Sequence, residues 1–99
     1  MATPASPDDI PVTHNQAEQR FETQIHGQLA VCDYQMEGRQ MVFTHTYVPT
    51  ELRGRGIAQK LVQAALDYAR EENFRVVPAC SYVDAFIARH REFQPLVVK

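Results

Sequence analysis

The sequence predicts an α/β fold of the α+β kind, a mixed and mostly antiparallel sheet carrying two main helices. Three observations predict it. Between Arg20 and Val48, apolar and polar residues alternate with a period of two in three successive segments, the mark of half-buried strands. From Ile57 the apolar period changes to 3.6, which marks an amphipathic helix. A short apolar run, Phe74 to Ala79, then leads into a second helix start at Ser81. With 99 residues, 44% of them hydrophobic, the chain is one small domain.

Residues 1 to 14 hold Pro4, Pro7 and Pro11 among small and acidic residues, so they are expected to form a disordered leader before a single domain over 15–99. Arg20 to His26 sets Phe21, Thr23 and Ile25 on one face, and Gly27 turns the chain. Leu29 to Met36 follows, with Ala30, Cys32, Tyr34 and Met36 on one side, and Glu37-Gly38 makes the next tight turn. Gln40 to Val48 is the longest run, with Met41, Phe43, His45 and Tyr47 alternating against Val42, Thr44, Thr46 and Val48. These three read as an antiparallel meander. Pro49 and Thr50 end it. After the turn Leu52 to Ala58, the residues Ile57, Ala58, Leu61, Val62, Ala65, Leu66 and Ala69 form one stripe of a helix ending near Asn73. Phe74 to Ala79 would return beside the third strand through a right-handed crossover. Pro78 cannot donate to a ladder, so the two strands are expected to part near it. Ser81 reads as the cap of the second helix, with Asp84 reaching back, and Val83, Phe86, Ile87 and His90 as its inner stripe. Leu96 to Val98 read as a last extended piece beyond Pro95.

A formal net charge of −2 with no basic run gives no broad basic face for nucleic acid. No stretch approaches a membrane span, and the N-terminus lacks the charged and apolar regions of a signal peptide. A cytoplasmic monomer is expected. Cys32 and Cys80 are too few for a disulfide framework, and no His or Cys pair has metal-ligand spacing with a third ligand in reach, so no metal is expected.

The densest chemistry lies in Arg53-Gly54-Arg55-Gly56-Ile57-Ala58. The glycines let backbone approach a ligand closely, and the first amides of a helix lack internal partners and face the positive end of its dipole. With Arg53, Arg55 and Lys60 on the same turn, a phosphate or pyrophosphate suits the site. A tight surface turn with solvated arginines is the other reading. There is no P-loop pattern, and the glycines follow no Rossmann spacing, so ATP and NAD are not favoured.

His45-Thr46-Tyr47-Val48-Pro49, the arginine-glycine turn and Val77-Pro78-Ala79-Cys80-Ser81-Tyr82-Val83 together resemble the small GNAT-related family of single-domain, YjdJ-type N-acetyltransferases, over about Phe21 to Leu96. In that family the acetyl-CoA pyrophosphate sits on a Gln/Arg-x-x-Gly-x-Gly/Ala turn. Arg53, Gly56 and Ala58 occupy its fixed positions. The resemblance implies acetyl-CoA as co-substrate, its pantetheine along the backbone of Thr46, Tyr47 and Val48 between splayed strands, and its pyrophosphate on the amides of Arg53 to Ala58. Ser81 and Tyr82 would complete the cofactor site. Tyr47 stands where many members carry a glutamate, so no carboxylate base is implied there.

Acetyl transfer to an amine needs a neutral nucleophile, a donor to the thioester oxygen and a proton for the departing thiolate. Cys80, at a strand end and just before a helix start, is the expected catalytic residue, either as nucleophile or as acid; a buried, inert packing cysteine is the alternative. His45 is a candidate base or orienting group, or a hydrogen-bonded structural histidine. Tyr47 and Tyr82 are core aromatics or walls of the acyl pocket. Cys32 reads as core, His14 and His26 as solvated, and His90 as a packing residue or a cofactor neighbour. The sheet begins early in the chain, so the acceptor side is expected to be open, for a small polyamine or a protein amine. A non-catalytic acyl-CoA-binding or sensing module is the alternative function.

Overall fold

The computed structural model describes residues 10–98. Five strands, β1 (Thr13–Asn15), β2 (Arg20–Ile25), β3 (Gln28–Glu37), β4 (Gln40–Tyr47) and β5 (Arg75–Pro78), form one sheet in sequence order. The first four run antiparallel, and β5 lies parallel to β4. The crossover is made by α1 (Ile57–Glu71), and α2 (Ser81–Arg89) follows β5. This is the mixed, mostly antiparallel sheet with two main helices that the alternation and the change of period lead one to expect.

One core lies between the sheet and the helices. The inward residues Phe21, Ala30, Cys32, Tyr34, Met41, Phe43 and Val76 pack with Ile57, Leu61, Val62, Ala65, Leu66 and Ala69 of α1 and with Val83, Phe86 and Ile87 of α2. The helices share one side of the sheet, and on its other side Val31, Val42 and Val77 are only half-buried while Thr44, His45 and Tyr47 are exposed.

The leader differs from expectation. Ile10 is already buried in the core and Thr13–Asn15 form β1, so order starts before residue 15, while residues 1–9 lie outside the described residues. His14, read as solvated, is half-buried instead. Pairing opposite Phe21 lays its ring on that phenyl at 4.0 Å, and its Nε2 meets the Tyr34 hydroxyl at 2.5 Å. Burial lowers its pKa from the ordinary 6.5. The unfolded chain therefore binds this proton more readily, so the associated stability is fully present above about pH 6.5 and declines as pH falls through the lowered value. Denaturation midpoints should drop on acidification from pH 7.5 to 5.5, and less so in His14→Phe, which keeps the stacking without the titration. Equal slopes in both proteins would remove His14 from the account.

The most consequential departure is in β4. Asp33 pairs with His45 and Tyr34 with Phe43, so Thr44 is an extra residue, a bulge that moves the alternation one place along. Simple alternation put Phe43, His45 and Tyr47 on one face. The bulge instead keeps Phe43 inside, brings Thr46 inside opposite Cys32, and turns His45 and Tyr47 outward. On the other side of β4, pairing with β5 stops at Phe43 and Pro78. The last link is the Cys80 amide donating to the Phe43 carbonyl at 2.9 Å, and beyond it His45 to Tyr47 are paired only with β3. Pro78 and the bulge together open the sheet there.

Two smaller corrections concern helix ends. Helix α2 is capped by Cys80, not Ser81, and no side chain makes a cap hydrogen bond; the Asp84 amide donates to the Cys80 carbonyl in an ordinary first turn. Pro95 lies inside a 3-10 turn, Arg91–Leu96, after which Val97 bridges Val76 and the Val98 amide donates to the Val76 carbonyl at 2.9 Å.

Candidate functional site

The open end of β4, the arginine-glycine turn and the start of α2 enclose a groove. It consists of two adjoining cavities of about 210 and 280 Å³ that share Val48, Arg53, Ala58 and Tyr82. Leu52, Gly54, Gly56, Ile57 and Gln59 line the first, and Thr46 and Tyr47 line the second. Nine of the residues expected to bind cofactor thus line one continuous groove: Thr46, Tyr47, Val48, Arg53, Gly54, Gly56, Ile57, Ala58 and Tyr82. Arg55 and Ser81 do not; both are exposed and line neither cavity.

At the turn end, Gly56 caps α1 in the left-handed region at φ 75°, a conformation that glycine adopts without a Cβ clash. The first helical hydrogen bond runs from the Lys60 amide to the Gly56 carbonyl at 3.0 Å, leaving the amides of Ile57, Ala58 and Gln59 without intrahelical partners. No side chain caps them and no acid sits in the first turn. The helix dipole adds positive potential at the same place, so this end of the groove presents an anion cradle. Arg53 has a structural part as well: its Nε donates to the Val48 carbonyl at 2.9 Å, tying the turn to the end of β4.

The half-buried Cys80 thiol lines neither cavity but lies 3.5 Å from the hydroxyl of Thr46, which lines the second. That hydroxyl also reaches the Cys32 sulfur at 4.0 Å. The two thiols differ sharply. Cys32 is fully buried and its pKa is pushed up to about 12, chiefly by burial, so it remains an inert thiol of the core. Cys80 sits at the mouth of the strand gap, at a helix N-terminus and beside a hydroxyl that can donate to or accept from it. Tyr82, in the first turn of α2, walls both cavities, and burial raises its phenol pKa. Thr46 was anticipated through its backbone; its side-chain contact with Cys80 was hidden because the bulge reverses the facing of the strand. Leu52 and Gln59 were not anticipated as lining residues.

His45 does not join Cys80. It lies on the outer face, its ring parallel to that of Tyr47 with centroids 6.4 Å apart and 12° between planes. His90 is a packing residue, stacked on Phe86 at 3.9 Å with its Nδ1 at 2.8 Å from the Phe86 carbonyl. His26 is exposed at the β2–β3 turn. Among the described residues no group of three or more His, Cys, Asp or Glu is placed to hold a metal, and no helix is long and apolar enough to cross a membrane.

A sheet splayed at a parallel β4–β5 pair, with an uncapped helix start facing the opening, defines a class of fold. The GCN5-related N-acetyltransferase family model matches residues 20–96, and the chain belongs to that family. It is similar to Protein NATD1 of Bos taurus, 37% identical over 92 residues covering 87% of this chain and 81% of that protein. It is also similar to Protein NATD1 of Homo sapiens, 36% identical over 81 residues covering 79% of this chain and 72% of that protein. In three dimensions it superimposes on a GCN5-like protein from Staphylococcus aureus solved by NMR, with a TM-score of 0.72 over 90% of this chain and 88% of the other, at 24% identity. That likeness concerns the fold.

Proposed function

We propose that the groove binds acetyl-CoA and that the protein transfers the acetyl group to an amine, with Cys80 at the reacting end. One observation carries this reading: the anion cradle at the start of α1 and Thr46, whose hydroxyl lies 3.5 Å from the Cys80 thiol, line one groove walled by β4 backbone that β5 leaves unpaired. When bound, acetyl-CoA supplies an activated acetyl thioester. The amides of Ile57, Ala58 and Gln59 would hold the pyrophosphate, and the backbone of Thr46, Tyr47 and Val48, free of a β5 partner, would hold the pantetheine arm as a partial extra strand. Tyr82 would wall the bound cofactor on the α2 side.

Cys80 then acts in one of two ways. It takes the acetyl group onto sulfur, with its proton passing to the departing CoA thiolate, and later yields the group to the amine nitrogen; or it only donates its proton to that thiolate while the amine attacks directly. Thr46, 3.5 Å away, orients the thiol in either case. Intact-mass spectrometry after incubation with acetyl-CoA separates the routes. A hydroxylamine-labile gain of one acetyl group marks the two-step route. Release of free CoA only when an amine is present marks the direct one. Absence of both, with any amine offered, would reduce the protein to an acyl-CoA-binding module.

A further inference from the structure

A further cavity, of about 300 Å³, lies at the other end of α1 from the groove. Gln16 and Gln19 of the β1–β2 turn, Tyr34 and Met36 of β3, Tyr68 in the last turn of α1 and Phe74 just beyond that helix line it. Along α1, Tyr68 stands about 15 Å from Ala58 of the groove, so the two sites are distinct. The rim is held in place. The Gln19 side-chain oxygen accepts from the Met36 amide at 2.8 Å, and its carbonyl accepts from the Tyr34 amide at 3.0 Å. Gln16 Nε2 donates to the Tyr68 hydroxyl at 3.3 Å. Two of the rings form a corner, Tyr68 and Phe74 having centroids 5.9 Å apart and 66° between planes. Tyr68 also packs on His14 and Phe21, at 4.4 and 5.8 Å, which fixes its orientation. Phe74 already holds one cation, since the Arg39 guanidinium lies 5.1 Å from its centroid.

The lining has a definite selectivity. It contains no charged side chain among the described residues, so it lacks the ionic partners that hold a carboxylate or a phosphate. The segments that supply it, 16–19, 34–39 and 67–74, nevertheless carry the carboxylates of Glu18, Glu37, Asp67, Glu71 and Glu72 against the guanidiniums of Arg39 and Arg70 alone. The negative end of the α1 dipole adds to that potential. We propose that this cavity binds a quaternary ammonium group, carried by a small choline-like molecule or by a trimethylated lysine side chain. Such a group spreads its charge over methyl groups that ask for no hydrogen bond, which suits aromatic rings and the polarisable thioether of Met36. An unmethylated ammonium would give up its hydrogen bonds to water on entry, and no carboxylate lines the cavity to replace them. The site does not depend on what the groove binds.

Chemical-shift titration of the full chain by NMR tests it. The probes are choline, its uncharged isostere 3,3-dimethylbutanol, a trimethyllysine peptide and the same peptide unmethylated. At least one cation should move the amides of Gln19, Met36, Tyr68 and Phe74 and bind about tenfold more tightly than its own control, the weight of a desolvated cation over aromatic rings. The tighter cation identifies the source, a small molecule if choline and a methylated protein if the peptide. Phe74→Leu keeps an apolar side chain without the ring and should weaken that cation about fivefold or more. If the variant fails to fold, the comparison of each cation with its control on the unaltered protein still decides. Binding of the controls as tight as that of the cations overturns the proposal, as does undiminished cation binding in folded Phe74→Leu. So do shifts confined to the groove, or no shift with either cation at millimolar concentration.

Discussion

Replacing Cys80 by alanine is expected to slow acetyl transfer by about 100-fold or more while leaving acetyl-CoA affinity and folding nearly intact. The rate loss follows from either chemical part proposed for the thiol, since a positioned acid or nucleophile contributes about two to four orders of magnitude. The mild effect on folding follows from position. Cys80 is half-buried, caps α2 without a side-chain hydrogen bond, and leaves behind only the Thr46 hydroxyl, which retains its contact with Cys32. A stability loss within about 1 kcal/mol is therefore expected. The measurement is the rate of CoA release in the presence of an amine, beside a thermal melt of each protein. Undiminished turnover in Cys80→Ala would make the thiol a packing residue and move the chemistry elsewhere in the groove.

Filling the groove should have a comparably large effect on binding. Ala58 lines both cavities and sits in the first turn of α1, half-buried. Ala58→Phe should weaken acetyl-CoA binding about tenfold to 100-fold, the range set by forcing extra volume into occupied space, and leave the ligand-free melting temperature close to that of the parent. Isothermal titration measures the first and a melt the second. Gly56 is a poorer choice for separating binding from folding. Its φ of 75° is left-handed, so any side chain there strains the backbone whether or not a ligand is present.

The strands, the helices and the parting of β4 from β5 were legible because each rests on a local rule. Pro78 has no amide proton to give a ladder, and the change from a two-residue to a 3.6-residue period marks where sheet yields to helix. The turn from Arg53 to Ala58 was legible for the same reason: glycine and the start of a helix have defined backbone consequences. What escaped depends on pairing between distant segments. The Thr44 bulge exists only as a mismatch with Asp33 and Tyr34 on β3, so the outward facing of His45 and the inward facing of Thr46 could not be read from β4 alone. His14 escaped likewise. Among prolines and polar residues it reads as part of a tail, and only its place opposite Phe21, beneath Tyr34 and Tyr68, turns it inward. Capping by Cys80 rather than Ser81 is a one-residue shift, set by the Cys80 amide finishing the ladder on Phe43 before the helix begins.

Whether the groove from the α1 start to Thr46 holds acetyl-CoA is decided by the melting temperature of the unaltered protein with and without that ligand. At 100 times its dissociation constant a ligand specific for the folded state stabilises it by about 2.7 kcal/mol, which for a domain of this size is a rise of about 10 °C or more. Such a rise is expected with acetyl-CoA, and its loss in Ala58→Phe. A melting temperature unmoved by saturating acetyl-CoA would contradict it.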